Sequence, residues 1–422
     1  MRGAPTSTSK LSITNVPTFR SLRHRDFRLV WLGTVLFSAG NWIQQVTLGW
    51  LVYDRTDNAF LVGAIWSARS LPFLFAGPIA GVFIDRVDRK RFLIVNQLFL
   101  AALALWFALM VATDGVAVWH MMLFSILGGI GFAIQNPLRQ AVTANVVPKE
   151  DFLNAIALNS SAFNINRVVG PALGGVLITT VGASANFFIQ AGCYAVVAVM
   201  SMLLSVRGGA KETAKPKTSA MADLREGLRY VASRSDITAL MLLAMIPAFF
   251  IMPFTVQMMP VFAKDVLRQD ADGLGALLAV FGVGGLIGVL VLATIGNRPE
   301  HGRTQIVIGV LAGVSLIIVS RTHSMAVAMV FLFIQGTAMF TFMALNNTHM
   351  QTSIPDAMRG RVMGIYLMNV GVGPFGAMFA GALAHGRGSD TTMLVGGGIA
   401  IALFLAMGLF YGKSLFAKPP PA

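Results

Sequence analysis

Three arginines sit where an arginine is costly. Arg69, Arg139 and Arg167 each fall inside a long apolar stretch, and a cation in hydrocarbon costs several kcal/mol unless it faces a cavity or a partner. Arg167 is the deepest. It lies roughly fourteen residues from either end of its stretch, about 21 Å of helix, too far to reach water easily by extending its side chain. Asn159, Phe163, Asn166 and Gly170 recur around it at three-, four- and seven-residue spacings and are read as sharing its side. Arg139 lies nearer a stretch end, where its head group reaches the interface as readily as a cavity, and Arg69 is intermediate. Amides accompany the arginines: Asn41, Gln44 and Gln45 at i, i+3 and i+4, then Gln135 with Asn136, and Gln257, Gln335, Asn346 and Asn369. Such side chains either hydrogen-bond a passing molecule or tie helices together. Met252, Met258, Phe249 and Phe250 offer a soft apolar wall, or face lipid.

The missing partners are as informative. None of the 18 Asp and Glu falls in the middle third of an apolar stretch. A cavity with arginines and no acids favours anionic or neutral polar ligands over lipophilic cations. The six histidines are scattered, with no i, i+4 pair to hold a metal, and no Walker loop is present to bind ATP. Enzyme chemistry, a metal and a cofactor are therefore not expected. Work done on a small molecule must draw on an ion gradient, with protons the candidate coupling ion. Cys193 is the only cysteine, so no intrachain disulfide forms.

Two glycine-rich segments invite a mechanical role. In Gly170-Pro171-Ala172-Leu173-Gly174-Gly175 the glycines allow close packing, here expected on one face, and Pro171 removes a backbone hydrogen bond, so the helix can bend. Gly371-Val372-Gly373-Pro374-Phe375-Gly376 matches a dinucleotide fingerprint by letters only. It has no strand before it and no acidic partner, and is read as helix packing. A third segment, Gly81 to Arg91, places Asp85 beside Arg86, Arg89, Lys90 and Arg91 where a stretch leaves the bilayer. Such a cluster can latch two bundles in one conformation and release them in another; anchoring of topology alone is the alternative.

The elements that position these residues follow from composition. Of the 422 residues 55% are hydrophobic and 12% charged, and mean hydropathy is +0.71, more apolar than a soluble chain requires. A crossing helix needs about 20 apolar residues. Stretches of that kind recur at 28–53, 60–84, 92–113, 118–145, 153–180, 184–206, 237–263, 273–296, 304–320, 325–350, 360–384 and 391–412. Each is continuously apolar rather than alternating, which predicts helices and not barrel strands. The expected fold class is an all-α membrane protein with twelve transmembrane helices.

The net charge of +14 would suit nucleic acid if its cations clustered on one surface, but they track the loops instead. With the N-terminus inside, 24 of the 32 Lys and Arg fall on the inner side and five (Arg55, Lys264, Arg268, Arg321, Arg387) on the outer. That bias predicts both termini in the cytoplasm of a multi-pass inner (plasma) membrane protein, with no nucleic-acid partner. Residues 1–27 lack a signal-peptide pattern.

The longest polar interruption, 207–236, divides the chain into 28–206 and 237–412, with tails at 1–27 and 413–422. Within it Leu224, Leu228 and Val231 fall at helical spacing between charges, predicting a short amphipathic helix at the interface or in solvent. The halves repeat. Val146-Val147-Pro148-Lys149-Glu150 ahead of Gly170-Pro171 answers to Ser353-Ile354-Pro355-Asp356 ahead of Gly373-Pro374, six stretches later. Two pseudo-symmetric six-helix bundles follow.

These segments together resemble the major facilitator superfamily. Gly77-Pro78-Ile79-Ala80-Gly81 through Asp85-Arg86 and Arg89-Lys90-Arg91 is similar to that family's loop between its second and third helices, and Gly170-Pro171-x-x-Gly174-Gly175 to its exporter motif. Trp42-Ile43-Gln44-Gln45 and Arg225-Glu226-Gly227-Leu228-Arg229-Tyr230-Val231 resemble the branch of enterobactin-type siderophore exporters and macrolide efflux proteins. The resemblance implies the major facilitator fold, alternating access, and export of a small-molecule substrate of siderophore or drug class by a monomer in the lipid bilayer. An importer, or a sensor that keeps the fold, stays open. Departures from the pattern are Asp88 in place of a glycine, Ser125 in place of an arginine, Asn166 in place of a glycine, and Asn297-Arg298 lacking the acid in the second half.

Overall fold

A computed structural model describes residues 17–72, 88–205, 220–295 and 301–415 of the chain, and every regular element among them is helical. A 3-10 turn, Pro17–Arg23, leads into α1 (Arg25–Thr56), α2 (Ala59–Ser70), α3 (Arg89–Ala112), α4 (Val118–Val146), α5 (Phe152–Val181) and α6 (Ala183–Met202). The central segment forms α7 (Ala220–Ser233). Beyond it run α8 (Ser235–Phe250), α9 (Met259–Asp265), α10 (Ala271–Ile295), α11 (His301–Arg321), α12 (Met325–Ser353), α13 (Asp356–Leu367), α14 (Gly373–Arg387) and α15 (Ser389–Leu415).

Eight of the described helical runs are long and apolar enough to cross a membrane. Neither α1 nor α5 is among them, for a physical reason. α1 carries Thr34, Ser38, Asn41, Gln44 and Thr47, and α5 carries Asn159 and Asn166, all buried against neighbouring helices. Their polar faces point inward. Large apolar side chains such as Leu409, Phe410, Leu153, Val307 and Leu290 point outward. A water-soluble bundle distributes these residues the other way round, whereas hydrocarbon accepts the apolar exterior and makes interior amides useful as ties.

Helices α1–α6 pack mainly on one another, through α1 with α5 and α6 and α3 with α4 and α6. Helices α8–α15 do the same, through α10 with α12 and α11 with α12 and α15. The two sets meet along two long seams, α5 with α10 and α2 with α14, and α1 also touches α9. Glycine makes both seams possible. A Cβ on Gly175 would stand 2.4 Å from the Ala271 carbonyl oxygen, and one on Gly63 2.2 Å from that of Ala377. Opposite them, Gly275 and Gly381 present bare Cα atoms in return, 2.9 Å and 3.1 Å from the Cβ positions on Gly175 and Gly63.

Two stretches expected as continuous helices are broken. The expected helix over 237–263 is α8, a π turn over Pro253–Gln257, and α9. Pro253 and Pro260 supply no N–H at those points, so the ladder has to be reset. The expected helix over 360–384 is α13, a 3-10 turn over Met368–Val372, and α14, which restarts at Gly373-Pro374. The amphipathic helix expected in the central segment is α7, and it docks on α13 rather than standing free. Gly227 faces Ile365, and Arg361 reaches Glu226 at 3.3 Å. Leu228 turns outward, away from the buried Val231.

Candidate functional site

Between the two sets lies a cavity of about 210 Å³. From the first set it receives Trp42, Gln45 and Val46 on α1, Trp66 on α2, and Arg167 and Pro171 on α5. The second set supplies Met252, Val256 and Gln257 at the broken helix, Pro260 on α9, Leu278, Phe281 and Gly282 on α10, and Phe340 on α12. Gln257 lies at the end of the π turn, and with its amide nitrogen turned to its own turn it donates to the Met252 carbonyl at 2.6 Å.

Arg167 supplies the charge of this cavity. Its guanidinium carbon stands 3.7 Å from the centroid of the Phe340 ring, a cation–π contact joining α5 to α12 across the two sets. Its buried Nε has no acceptor among the described residues, nor does the indole Nε1 of Trp42. Trp42 meets Phe163 edge-on at 5.8 Å. No carboxylate belongs to the described lining. The site therefore offers one cation, unpaired donors and flat aromatic surface, which together can hold a carboxylate, a phenolate or a polar neutral group against an apolar body.

The other candidate residues lie elsewhere. Asn159 donates to Thr143 at 3.3 Å and accepts from Thr34 at 3.1 Å, and Asn166 donates to Ser38 at 2.8 Å and to the Val35 carbonyl at 3.1 Å. Both amides face α1 and its neighbours, so they do not share the side of Arg167. Further along α1, Asn41 accepts from Arg69 at 2.6 Å, Gln44 accepts from Gln190 at 2.7 Å, and Thr47 accepts from Asn186 at 2.7 Å. Gln135 accepts from Asn96 at 3.0 Å, and Asn136 from Arg139 at 3.2 Å. In the second set Gln335 donates to Thr255 at 2.8 Å and Asn346 to the Leu240 carbonyl at 3.1 Å. Asn369 falls in the 3-10 turn between α13 and α14.

The glycines of α5 divide between two neighbours, correcting the expectation of a single face. Gly170 and Gly174 face Trp42 and Ile43 of α1, while Gly175 faces α10. Helix α5 runs through Pro171 without interruption. Gly81, Asp85 and Arg86 lie outside the described residues. Arg89 and Arg91 open α3, where Asp88 caps the helix by accepting from the Arg91 N–H at 3.1 Å. That cap explains an acid at a position where a glycine was expected.

Sequence reasoning missed the aromatic wall: Trp42, Trp66, Phe281 and Phe340. Trp42, Gln45 and Val46 do fall at i, i+3 and i+4, so one face of α1 was legible. The remainder needs the pairing of α5 with α10 and α12, which no local pattern encodes. It also missed a pair of contacts between the sets at the end expected to face outward. Tyr53 donates to Asp265, and Lys264 pairs with Asp54 at 2.9 Å.

Comparison with known proteins agrees with this architecture. The transmembrane secretion effector family matches residues 16–417. The chain is 26% identical over 376 residues to the multidrug efflux pump Tap of Mycolicibacterium fortuitum, covering 87% of this chain and 91% of that one. It is 25% identical to the staphyloferrin A transporter of Staphylococcus aureus, covering 86% and 90%. To macrolide efflux protein A of Streptococcus pyogenes it is 24% identical, over 65% of this chain and 68% of that one. Among solved structures it superposes on a bacterial homologue of the human lysosomal transporter Spinster, with a TM-score of 0.75, 15% identity, and 94% and 99% of the two chains covered. The nucleoside transporter NupG gives a TM-score of 0.72 at 15% identity, over 92% and 99%. This chain is a multi-pass membrane transporter of the transmembrane secretion effector family, within the major facilitator superfamily.

Proposed function

We propose that the protein is a secondary active exporter, working by alternating access, of small amphipathic molecules that are anionic or neutral. The observation that carries this reading is the cavity shared by the two sets, with Arg167 stacked on Phe340 and no carboxylate in its described lining. Its volume of about 210 Å³ gives room for a small organic molecule or the head of a larger one. Its chemistry suits an acidic siderophore, the class carried by one relative's name, better than a lipophilic cation such as an amine-bearing macrolide. The two halves, 28–206 and 237–412, act in this reading as the moving bodies, with twelve crossings and both termini in the cytoplasm.

The seams bear on conformation. Gly63, Gly381, Gly175 and Gly275 lie toward the helix ends expected to face outward, and the Tyr53–Asp265 and Asp54–Lys264 contacts close that same end. The structure is read as the state sealed on the outside.

Inside-out membrane vesicles test direction and class together. Accumulation of a carboxylate siderophore inside such vesicles under an imposed proton gradient, reduced in Arg167→Gln, is the expected result. Loss of the substrate from preloaded vesicles would indicate import, and no movement a sensor. Strong efflux of a fluorescent lipophilic cation that persists in Arg167→Gln would overturn the substrate class.

A further inference from the structure

We propose that the interior of the first helix set holds a small-anion site, centred on Arg69 and separate from the central cavity. Arg69 projects from α2 into a pocket lined by Asn41, Gln44, Gln190 and Tyr194 together with Phe124 and Phe132. It is 8% exposed, and its guanidinium makes one hydrogen bond among the described residues, to the Asn41 oxygen at 2.6 Å. The Phe132 ring lies 5.7 Å from its central carbon. No described carboxylate pairs with it.

That arrangement is unbalanced. A guanidinium carries five N–H donors and does not discharge inside a protein, and one bond to a neutral amide leaves the charge uncompensated. A buried cation without a counter-charge is costly, far beyond what a single hydrogen bond returns. The neighbours add donors instead of acids. Asn41 Nδ2 is fully buried with no partner, and the Tyr194 hydroxyl, which accepts from Gln190 at 3.1 Å, keeps its own hydrogen to donate. Gln190 Oε1 is an unpaired acceptor at the same place, and the three donor groups outweigh it. The opening between these groups is of water size, so a halide or a carboxylate head enters only as the surrounding side chains yield, and a drug does not fit.

A route reaches it. Arg69 also borders a second small pocket that includes Gln45 and Trp66, and those two residues line the central cavity. An anion entering with or beside the substrate passes Gln45 to reach Arg69. The ligand is thus either an inorganic halide serving as counter-ion or the acid group of an organic anion. The site stands independently of the transport reading, because its readout is equilibrium binding.

The test uses the purified full chain in detergent, with thermal unfolding followed in sodium gluconate and then in chloride, bromide or benzoate at constant ionic strength. A saturable rise in Tm with chloride and bromide is expected. Arg69→Gln should abolish it, Asn41→Leu should weaken the midpoint concentration by about tenfold, and Arg167→Gln should leave it intact. Protection by benzoate but not by halides sustains the anion site and assigns it to an organic acid group if it is lost in Arg69→Gln and kept in Arg167→Gln; benzoate protection lost only in Arg167→Gln belongs to the central cavity and overturns the site. Protection by neither, or an undiminished halide response in Arg69→Gln, overturns it. If Arg69→Gln does not fold, Asn41→Leu decides: a midpoint equal to wild type overturns the site, and a tenfold rise sustains it.

Discussion

The seam between α5 and α10 lends itself to a single-atom perturbation. Gly175→Ala adds one Cβ that would stand 2.4 Å from the Ala271 carbonyl oxygen and 2.9 Å from the Gly275 Cα, where ordinary contact begins near 3.4 Å. Both obstacles are backbone, so no rotamer change relieves them. The helices must part by roughly 1 Å at this crossing, in an interior packed as densely as a crystal. Overpacking of this kind costs about 1–3 kcal/mol, and here the cost falls on the sealed state alone. On the alternating-access reading the ratio of sealed to outward-open molecules drops by about 5- to 150-fold. Spin labels at Arg55→Cys and Asp270→Cys, in a Cys193→Ser background, report the separation of the two sets at that end by pulsed electron resonance. The expected result is a long-distance population that grows in Gly175→Ala. Gly192→Ala serves as the control, because a Cβ on Gly192 meets nothing within 4 Å. A distance distribution in Gly175→Ala that superposes on the Gly192→Ala control would refute the assignment of this seam as a gate.

Arg167→Gln should weaken binding of an anionic substrate by about 10- to 150-fold, the range of 1.5–3 kcal/mol for hydrogen bonds to charged groups. Quenching of Trp42 and Trp66 fluorescence by added ligand measures it, with a neutral substrate losing much less. Asn186→Leu removes the bonds from Nδ2 to Thr47 at 2.7 Å and the Gly174 carbonyl at 2.9 Å. It should destabilise the fold by about 1–3 kcal/mol, read as a lower Tm in detergent. Lys264→Met breaks the partly exposed pair with Asp54 and should shift the label distances by less than about 1 kcal/mol equivalent. Tyr53→Phe, which removes the more enclosed contact with Asp265, should shift them further in the same experiment.

Much of this fold was legible because bilayer helices advertise themselves through length and hydropathy, and α3, α4, α6 and α10–α12 begin and end close to their expected limits. The breaks at Pro253–Gln257 and Met368–Val372 were not read. Their prolines and glycines were visible, but a membrane helix can also carry such residues unbroken, as α5 does at Pro171. Local spacing set Arg167 apart as deep and costly, and it does border the cavity. It could not separate Arg167 from Asn166, one residue and about 100° away. That rotation decides whether a side chain faces α1 or the opposite helix set, and only the packing of α5 on α10 fixes it. Amides at Asn41, Gln44, Gln135 and Asn159 look identical in sequence whether they bind a ligand or a neighbouring helix.

The distribution of those amides separates the two halves in character. Along α1 the pairs Thr34–Asn159, Ser38–Asn166, Asn41–Arg69, Gln44–Gln190 and Thr47–Asn186 tie one helix to its neighbours over most of its length. Interhelical bonds of this sort average only about 0.6 kcal/mol each, so their value lies in direction: each fixes a rotation and a height. The second half carries fewer of them among the described residues, Gln335–Thr255 and Asn346–Gln305 being the clearest. It relies instead on glycine crossings, such as Gly284 against the Phe333 carbonyl and Gly336 against that of Phe281, and on the two broken helices. Close backbone contact resists compression but leaves torsion at a π or 3-10 turn comparatively free. A chain built this way keeps the cation of its cavity on the indexed half and places the opposing wall of Met252, Val256, Gln257 and Phe340 on the half with the broken helices. On the alternating-access reading, motion of that wall against a fixed Arg167 changes the cation–π contact at 3.7 Å directly, which would make this contact the place where ligand binding and helix movement share one free energy.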